Sequence, residues 1–432
     1  MRRAWMAAVF AALLLLSGPF PARAQQPASA VQPASSETAR DVLTRARPAI
    51  VQIRGFLGSN TAQSFHGTGF AVADGGLFVT NYHVVAEHVQ SPTRYRLEYR
   101  GPDGATGAVS VLAVDVRNDL ALVRATGHSP QPIRLQPASP AKGERAYAIG
   151  FPLDVGLTIT EGVSNGRVED AFQPRIHYAG ALNAGMSGGP ALNAASEVIG
   201  VNVSGYRFQQ LVSFLVPAEH AIALIKAAPA TVPDPAILKR QILEQLQAHS
   251  SELLGAIANP LPTQVTSGYV LPDKLASFID CNASGDQAPD QVVRTIRIDC
   301  SAKSNLQLQS GMATGEFKYM HFVMTSEKIG AWRFARRLSQ LTHASGARGS
   351  SRHVGTFACE DRIVALKGFD ASVAVCARSY RRHEGLYDFT VRVNSVSGAQ
   401  HGFASHLDMF GMGFDEGMKF IERYIAVMEY RA

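Results

Sequence analysis

The sequence has 432 residues, 46% hydrophobic and 18% charged, the balance of a globular protein. That length makes two domains the expectation, since single cores stop growing near roughly 250–300 residues. The formal charge of +6 includes Arg2, Arg3 and Arg23, and without these three it is +3, too mild to indicate a nucleic-acid partner.

Residues 1–24 carry Arg2 and Arg3, an apolar run from Trp5 through Leu16, and Ala22-Arg23-Ala24. This is the pattern of a secretory signal peptide removed after Ala24. The run is shorter than the ~20 apolar residues of a bilayer span, and no later stretch is long and apolar enough. The mature chain is therefore expected to be secreted across the inner membrane to the periplasm or beyond, with no integral membrane segment. Residues 25–36 are rich in Pro, Ala, Ser and Gln and read as a flexible lead-in. A short helix is predicted over Glu37 to Arg45, stopped by Pro48.

From Ile50 to Leu215 the text changes to short β-branched and aromatic runs, such as Leu77-Phe78-Val79-Thr80 and Leu120-Ala121-Leu122-Val123, separated by Gly, Asn and Pro. Many short strands with regular turn signals predict a sandwich or barrels. Ala218 to Ala227 reads as a helix closing this unit, which spans 37–228, and the Pro-rich piece Pro229 to Pro235 is a boundary. Leu238, Ile242, Leu246, Leu253 and Ile257 mark one face of a long amphipathic helix, placed with a linker in 229–262. Beyond it, strand-like runs (Val292 to Ile298, Phe317 to Met324, Tyr387 to Val393) mix with helical ones (Ile329 to Leu341, Phe414 to Met428). This predicts a separate α+β domain over 263–432.

All four cysteines, Cys281, Cys300, Cys359 and Cys376, lie in that last region. Four cysteines allow three pairings. Nearest-neighbour disulfides, Cys281 with Cys300 and Cys359 with Cys376, are expected because each loop is short and each flank looks like a strand. No C-x-x-C or neighbouring histidine at ligand spacing suggests a metal, and no cofactor is expected.

Peptide hydrolysis needs an activated nucleophile, a base, a group that orients the base and donors for the oxyanion. Candidates for each occur in the order His, Asp, Ser. Ser187 stands in Gly185-Met186-Ser187-Gly188-Gly189, where the backbone N–H groups of Gly185 and Ser187 are expected to form the oxyanion hole. His83 follows the β-branched run Val79-Thr80 as base. Asp119 opens the apolar run Leu120 to Val123 as orienting acid, with Asp115 as its rival. His66, His88, His128 and His177 have no such setting and read as surface or packing residues.

Together with Pro48-Ala49-Ile50-Val51-Gln52-Ile53, Gly67-Thr68-Gly69-Phe70, Ala148-Ile149-Gly150-Phe151-Pro152, Ile159-Thr160-Glu161-Gly162-Val163 and Ser213-Phe214-Leu215-Val216-Pro217, these motifs make residues 40–227 resemble the HtrA (Deg) family of trypsin-like serine proteases. The resemblance implies two perpendicular six-stranded antiparallel barrels with the site between them, ATP-independent endoproteolysis of unfolded or peptide-like protein substrates, and often a homo-oligomer. Two positions depart from the family: Met186 stands where Asn is usual, and Ala179 where Asp is common. Both lie in segments that order the site, so basal activity is expected to be low or to depend on activation. Alignment on the trypsin-like pattern places a substrate pocket at Ala181, Val201, Asn202 and Val203, with no carboxylate to receive Lys or Arg. Gly411-Met412-Gly413-Phe414 is superficially like the carboxylate-binding loop of a PDZ domain, but too little chain follows it, so the last region is not expected to be one. The alternative to an exported endopeptidase is an idle protease-like binding or chaperone-like protein acting through its C-terminal domain, with an esterase as a third reading.

Overall fold

The computed structural model describes residues 36–205, 211–286, 288, 291–302, 304, 306–341, 351–396, 398 and 400–431. The expected signal segment and all of the lead-in except Ser36 lie outside these residues. Helix α1 (Glu37–Ala46) leads into the first barrel, whose strands pair in the order Ile50–Leu57, Gln63–Ala73, Leu77–Thr80, Leu120–Ala125, Thr106–Asp115 and Tyr95–Arg100. Antiparallel pairing of the first strand with the last closes it. A second closed barrel runs Pro190–Leu192, Val198–Gly205, Ser213–Pro217, Ile176–Ala179, Thr158–Arg167 and Arg145–Gly150. Phe78, Val79, Leu120, Leu122, Tyr147 and Ile149 are all buried. Each such aliphatic or aromatic side chain contributes about 1.5–3 kcal/mol of burial, and closure leaves neither sheet an open edge.

Two helices follow barrel strands, of which the sequence predicts only the second. Helix α2 (Tyr82–Gln90) starts two residues beyond Leu77–Thr80, and α3 (Ala218–Ala227) follows Pro217. Helix α4 (Pro235–Gly255) begins with Pro235 at its first position and with Asp234 as N-cap, accepting the Ala236 N–H at 2.7 Å, the arrangement that satisfies a helix start. Its apolar stripe joins two cores. Leu238, Ile242 and Leu246 pack with the first barrel and α2, whereas Leu253 and Leu254 pack with the sheet beyond.

That sheet has seven strands, antiparallel throughout, in the order Ile279–Asp286, Arg294–Ala302, Phe317–Thr325, His401–Gly413, Leu386–Ser395, Phe369–Ser379 and Ala358–Leu366. Helix α5 (Ala331–Gln340) packs Phe334 and Leu338 near Met324 and Ala404. Helix α6 (Phe414–Ala426) buries Phe420 and Tyr424 among Phe317, Tyr319 and Phe389. The mainly β architecture with two barrels and an added sheet-rich region is thus as the sequence suggested. Cys281–Cys300 and Cys359–Cys376 are disulfide-bonded, each joining residues directly opposite one another on neighbouring strands. Gly411-Met412-Gly413-Phe414 ends a strand and begins α6. A two-stranded hairpin, Leu306–Gln309 with Met312–Thr314, departs from the seven-stranded sheet and sets Leu306, Leu308 and Met312 into the core shared with α2. Among the described residues no helix is long and apolar enough to cross a membrane.

Candidate active site

His83 sits in the first turn of α2, directly after the strand Leu77–Thr80. Asn81, the residue before the helix, does not cap it with its side chain. Its amide instead donates to the Asp119 carbonyl at 2.7 Å, tying the base-bearing turn to the acid-bearing turn. Asp119 holds a left-handed backbone with φ of 61°, a conformation that Asp tolerates better than most residues. From there its carboxylate makes two bonds to one residue. Oδ2 lies 2.6 Å from His83 Nδ1, and Oδ1 accepts the His83 backbone N–H at 2.9 Å. Burial alone would push the imidazole down, but the charge and hydrogen bond of Asp119 outweigh it and raise its pKa above the ordinary 6.5.

Asp115 has a different task. Its Oδ1 accepts the Asn118 N–H at 3.0 Å and its Oδ2 accepts Asn118 Nδ2 at 2.7 Å, so it shapes the turn that presents Asp119.

The nucleophile loop is suspended between the barrels. From the first barrel, the Thr68 N–H donates to the Ser187 carbonyl at 2.8 Å and Thr68 Oγ1 donates to the Gly185 carbonyl at 2.7 Å. From the second, the Asn202 carbonyl accepts the Gly188 N–H at 2.8 Å. Gly185 has φ of 98°, and a Cβ there would come within 2.2 Å of the Phe151 carbonyl oxygen, so only glycine fits. Gly188, with φ of 84°, is equally closed to a side chain by the Thr68 carbonyl at 2.3 Å. Among the described residues the N–H groups of Gly185 and Ser187 have no acceptor, leaving both available to an oxyanion. The Ser187 hydroxyl donates to the Val203 carbonyl at 3.2 Å. Among the described residues no hydrogen bond joins Ser187 Oγ to His83 Nε2, and such catalytic bonds commonly tighten only when substrate binds.

Residues 67–201 match the model of a trypsin-like peptidase domain. Human serine protease HTRA3 is 30% identical over 194 residues, 41% of this chain and 42% of that one. Bovine mitochondrial serine protease HTRA2 is 34% identical over 194 residues, 41% of this chain and 40% of its own. The barrel half of this chain is similar to the HtrA-like trypsin-like serine proteases. A solved serine endoprotease from Yersinia pestis aligns over 45% of this chain and 66% of its own at 23% identity, with a TM-score of 0.38. The chain spans about two fifths of the length of the curated relatives.

Within the barrel half, the residues expected to line a pocket differ in exposure. Ala181 is exposed and Val203 is 8% exposed, whereas Val201 and Asn202 have no exposed surface. The Asn202 amide donates to the Ile149 carbonyl at 3.0 Å and the Met186 carbonyl at 3.4 Å, so its side chain supports the nucleophile loop from beneath. Met186 is buried with Ala148, Ile176, Tyr178 and Leu215, an apolar anchor where the family usually has Asn. Ala179 ends its strand opposite Val163.

Two further groups near the site escaped the sequence reading. The His66 ring lies against Gly185, with Nε2 2.6 Å from where a Cβ would stand, and that nitrogen is buried without a hydrogen-bond partner. Arg175 is a part-buried guanidinium whose pKa is lowered by desolvation against the opposing charges of Asp119 and Asp115. Neither follows a motif: His66 lies within the strand Gln63–Ala73 opposite Arg54, Arg175 directly precedes the strand Ile176–Ala179, and only folding brings them near. His128 stacks between Phe78 and Tyr99, and His88 Nδ1 pairs with the Tyr95 carbonyl at 2.6 Å, both as packing residues.

Proposed function

We propose that the chain is an exported serine endopeptidase that hydrolyses peptide bonds of unfolded or peptide-like proteins through an acyl-enzyme. The observation that carries this reading is the two-point hold of Asp119 on His83 beside a nucleophile loop with two uncommitted N–H groups. Asp119 keeps the proton of neutral His83 on Nδ1, so Nε2 is free to accept. Ser187 Oγ attacks the scissile carbonyl carbon as its proton passes to His83 Nε2, and the N–H groups of Gly185 and Ser187 receive the oxyanion. Collapse breaks the C–N bond, the leaving amine takes the proton from His83, and an ester on Ser187 remains. Water, deprotonated by His83, then attacks the ester and regenerates Ser187. The names of the relatives, serine proteases, agree with this chemistry, and export agrees with the amino-terminal segment and the two disulfides. A homo-oligomer is part of the same reading.

The bond from the Ser187 hydroxyl to the Val203 carbonyl favours a second reading, an idle protease-like protein acting through its C-terminal region. Fluorophosphonate labelling and casein cleavage by the mature protein, with Ser187→Ala as control, separate the two. Active-site labelling and cleavage abolished by Ser187→Ala establish the endopeptidase. Absence of labelling in wild type, or cleavage retained in Ser187→Ala, refutes it.

A further inference from the structure

The two turns that present the base and the acid are each gripped from behind by residues far later in the chain. Tyr82, the neighbour of His83, is buried completely. Its hydroxyl donates to the Leu308 carbonyl at 3.0 Å and accepts from Gln90 Nε2 at 3.2 Å. Leu308 belongs to the hairpin that leaves the seven-stranded sheet to pack on α2. The same hairpin gives the Ser310 N–H to Glu87 Oε1 at 2.9 Å, and Arg382 reaches the Gln90 carbonyl at 3.3 Å and Ser91 Oγ at 3.1 Å. The helix carrying His83 is therefore held at its beginning, middle and end by the C-terminal region.

The acid turn is gripped by α4. Gln245 uses both ends of its amide on the backbone that flanks Asp115. Its Oε1 accepts the Val116 N–H at 2.7 Å, and its Nε2 donates to the Val114 carbonyl at 2.8 Å. One residue on, Arg117 pairs with Glu252 of the same helix. The Val116 carbonyl in turn accepts the Asp119 N–H at 3.3 Å, so displacement of Val116 is passed directly to the triad acid. The surface pair of Arg117 and Glu252 contributes little in water, whereas the amide of Gln245 satisfies two backbone groups that would otherwise lose their partners.

We propose that α4 and the Leu306–Thr314 hairpin form a built-in brace that fixes the separation and orientation of His83 and Asp119, with Gln245 and Tyr82 as positioning residues. The proposal rests on the proteolytic reading of the site and adds how that site is kept in register. The C-terminal region is then part of the working enzyme, and the domain 37–228 alone carries an incomplete support for its own triad. Loss of either grip leaves the catalytic groups present but misaligned, and misplacement by about 1 Å costs on the order of 10²-fold in rate.

The test uses the full chain with Tyr82→Phe, Gln245→Leu and Gln245→Glu. The readings are kcat and KM on a casein-derived peptide, the low-field proton resonance of His83 Nδ1–H, and the melting temperature. Tyr82→Phe and Gln245→Leu should each lower kcat by about 10- to 100-fold with KM unchanged, and should shift or broaden the Nδ1–H signal. Gln245→Glu keeps the acceptor for the Val116 N–H and should recover part of both. Wild-type kcat together with an unmoved resonance in Tyr82→Phe and Gln245→Leu overturns the brace. Should Gln245→Leu fail to fold, Tyr82→Phe decides, since it removes one oxygen and keeps the ring. If the wild type neither cleaves nor labels, the proteolytic reading falls while the resonance still judges the brace: a shift in the variants upholds it, and no shift overturns it.

Discussion

Replacing Asp119 by Asn tests the site through one atom. In the native arrangement Oδ1 accepts the His83 backbone N–H at 2.9 Å and Oδ2 faces Nδ1 at 2.6 Å. An Asn side chain has one acceptor and one donor. With its oxygen kept on the backbone N–H, its NH₂ group faces Nδ1, which can then only accept. The imidazole proton moves to Nε2, and the nitrogen facing Ser187 no longer has a lone pair to offer. The opposite amide orientation sets NH₂ against the backbone N–H, two donors in contact. That second orientation would keep the proton on Nδ1 but is opposed by the donor–donor contact, so the first prevails, and the expected fall in kcat is about 10⁴-fold, equivalent to roughly 5.4 kcal/mol of transition-state stabilisation at 1.36 kcal/mol per decade. Asp115→Asn, by contrast, weakens the bonds to Asn118 and should cost about 1 kcal/mol of stability and less than about tenfold in kcat, because Asp119 keeps its backbone support from Asn81. The assay is steady-state cleavage of a casein-derived peptide by the two variants, alongside their melting temperatures. Equal activity losses, or the greater loss in Asp115→Asn, would refute the assignment of the acid.

Gly185→Ala should lower kcat by about 10²- to 10³-fold through loss of an oxyanion donor, since its methyl meets the Phe151 carbonyl; near-normal kcat in a folded variant would remove Gly185 from the site. Mapping of non-reduced peptides should recover the pairs Cys281–Cys300 and Cys359–Cys376. Reduction should lower stability by about 3 kcal/mol per bridge in the chain-entropy model for loops of 19 and 17 residues, read as a drop in the urea midpoint. His249, His321, His383 and His406 are all buried, and burial is the main cause that pushes each pKa down to about 4. The unfolded chain near 6.5 therefore binds protons more tightly, so stability is full above about pH 6.5 and falls as pH drops toward 4. At pH 5 each contributes a loss of about 2 kcal/mol. Urea midpoints at pH 7.5 and 5 should differ accordingly, and a His321→Phe variant that keeps the same pH slope would show that this histidine is not responsible.

The proposed triad was legible because each member sits in a short local pattern: His83 after a β-branched strand, Asp119 before an apolar one, Ser187 among glycines. The choice between Asp119 and Asp115 rested only on proximity to that strand, whereas the hydrogen bonds to Asn118 explain why both are acidic. Helix α4 was legible from its stripe, but that the upper and lower parts of the stripe serve different cores was not. Such a division depends on what the helix meets after folding. Asn202 was expected at a pocket wall, and the reading missed that its amide is spent on carbonyls contributed by Ile149 and Met186. The strand His401–Gly413 was overlooked for a physical reason as well. It is central and buried on both faces along most of its length, so it lacks the alternation that marks a half-exposed strand. Partners such as Tyr82 with Leu308 are 226 residues apart, beyond the reach of any periodicity.

The outermost strands of the seven-stranded sheet, Ile279–Asp286 and Ala358–Leu366, are mostly exposed and have a neighbour on one side only. Each is continuous with its neighbour through a connection at one end and is bridged to it by a disulfide near the other, at Cys281–Cys300 and Cys359–Cys376. Each hairpin is in effect a covalent ring. A strand tethered at one end can unzip from its loose end, but one tethered at both has no loose end from which to begin. An endopeptidase is surrounded by copies of itself, and a margin that peels away would present an extended segment to the next molecule's active site. Under the proposed endopeptidase reading, the four sulfur atoms that ring these margins deny that foothold to neighbouring copies of the chain.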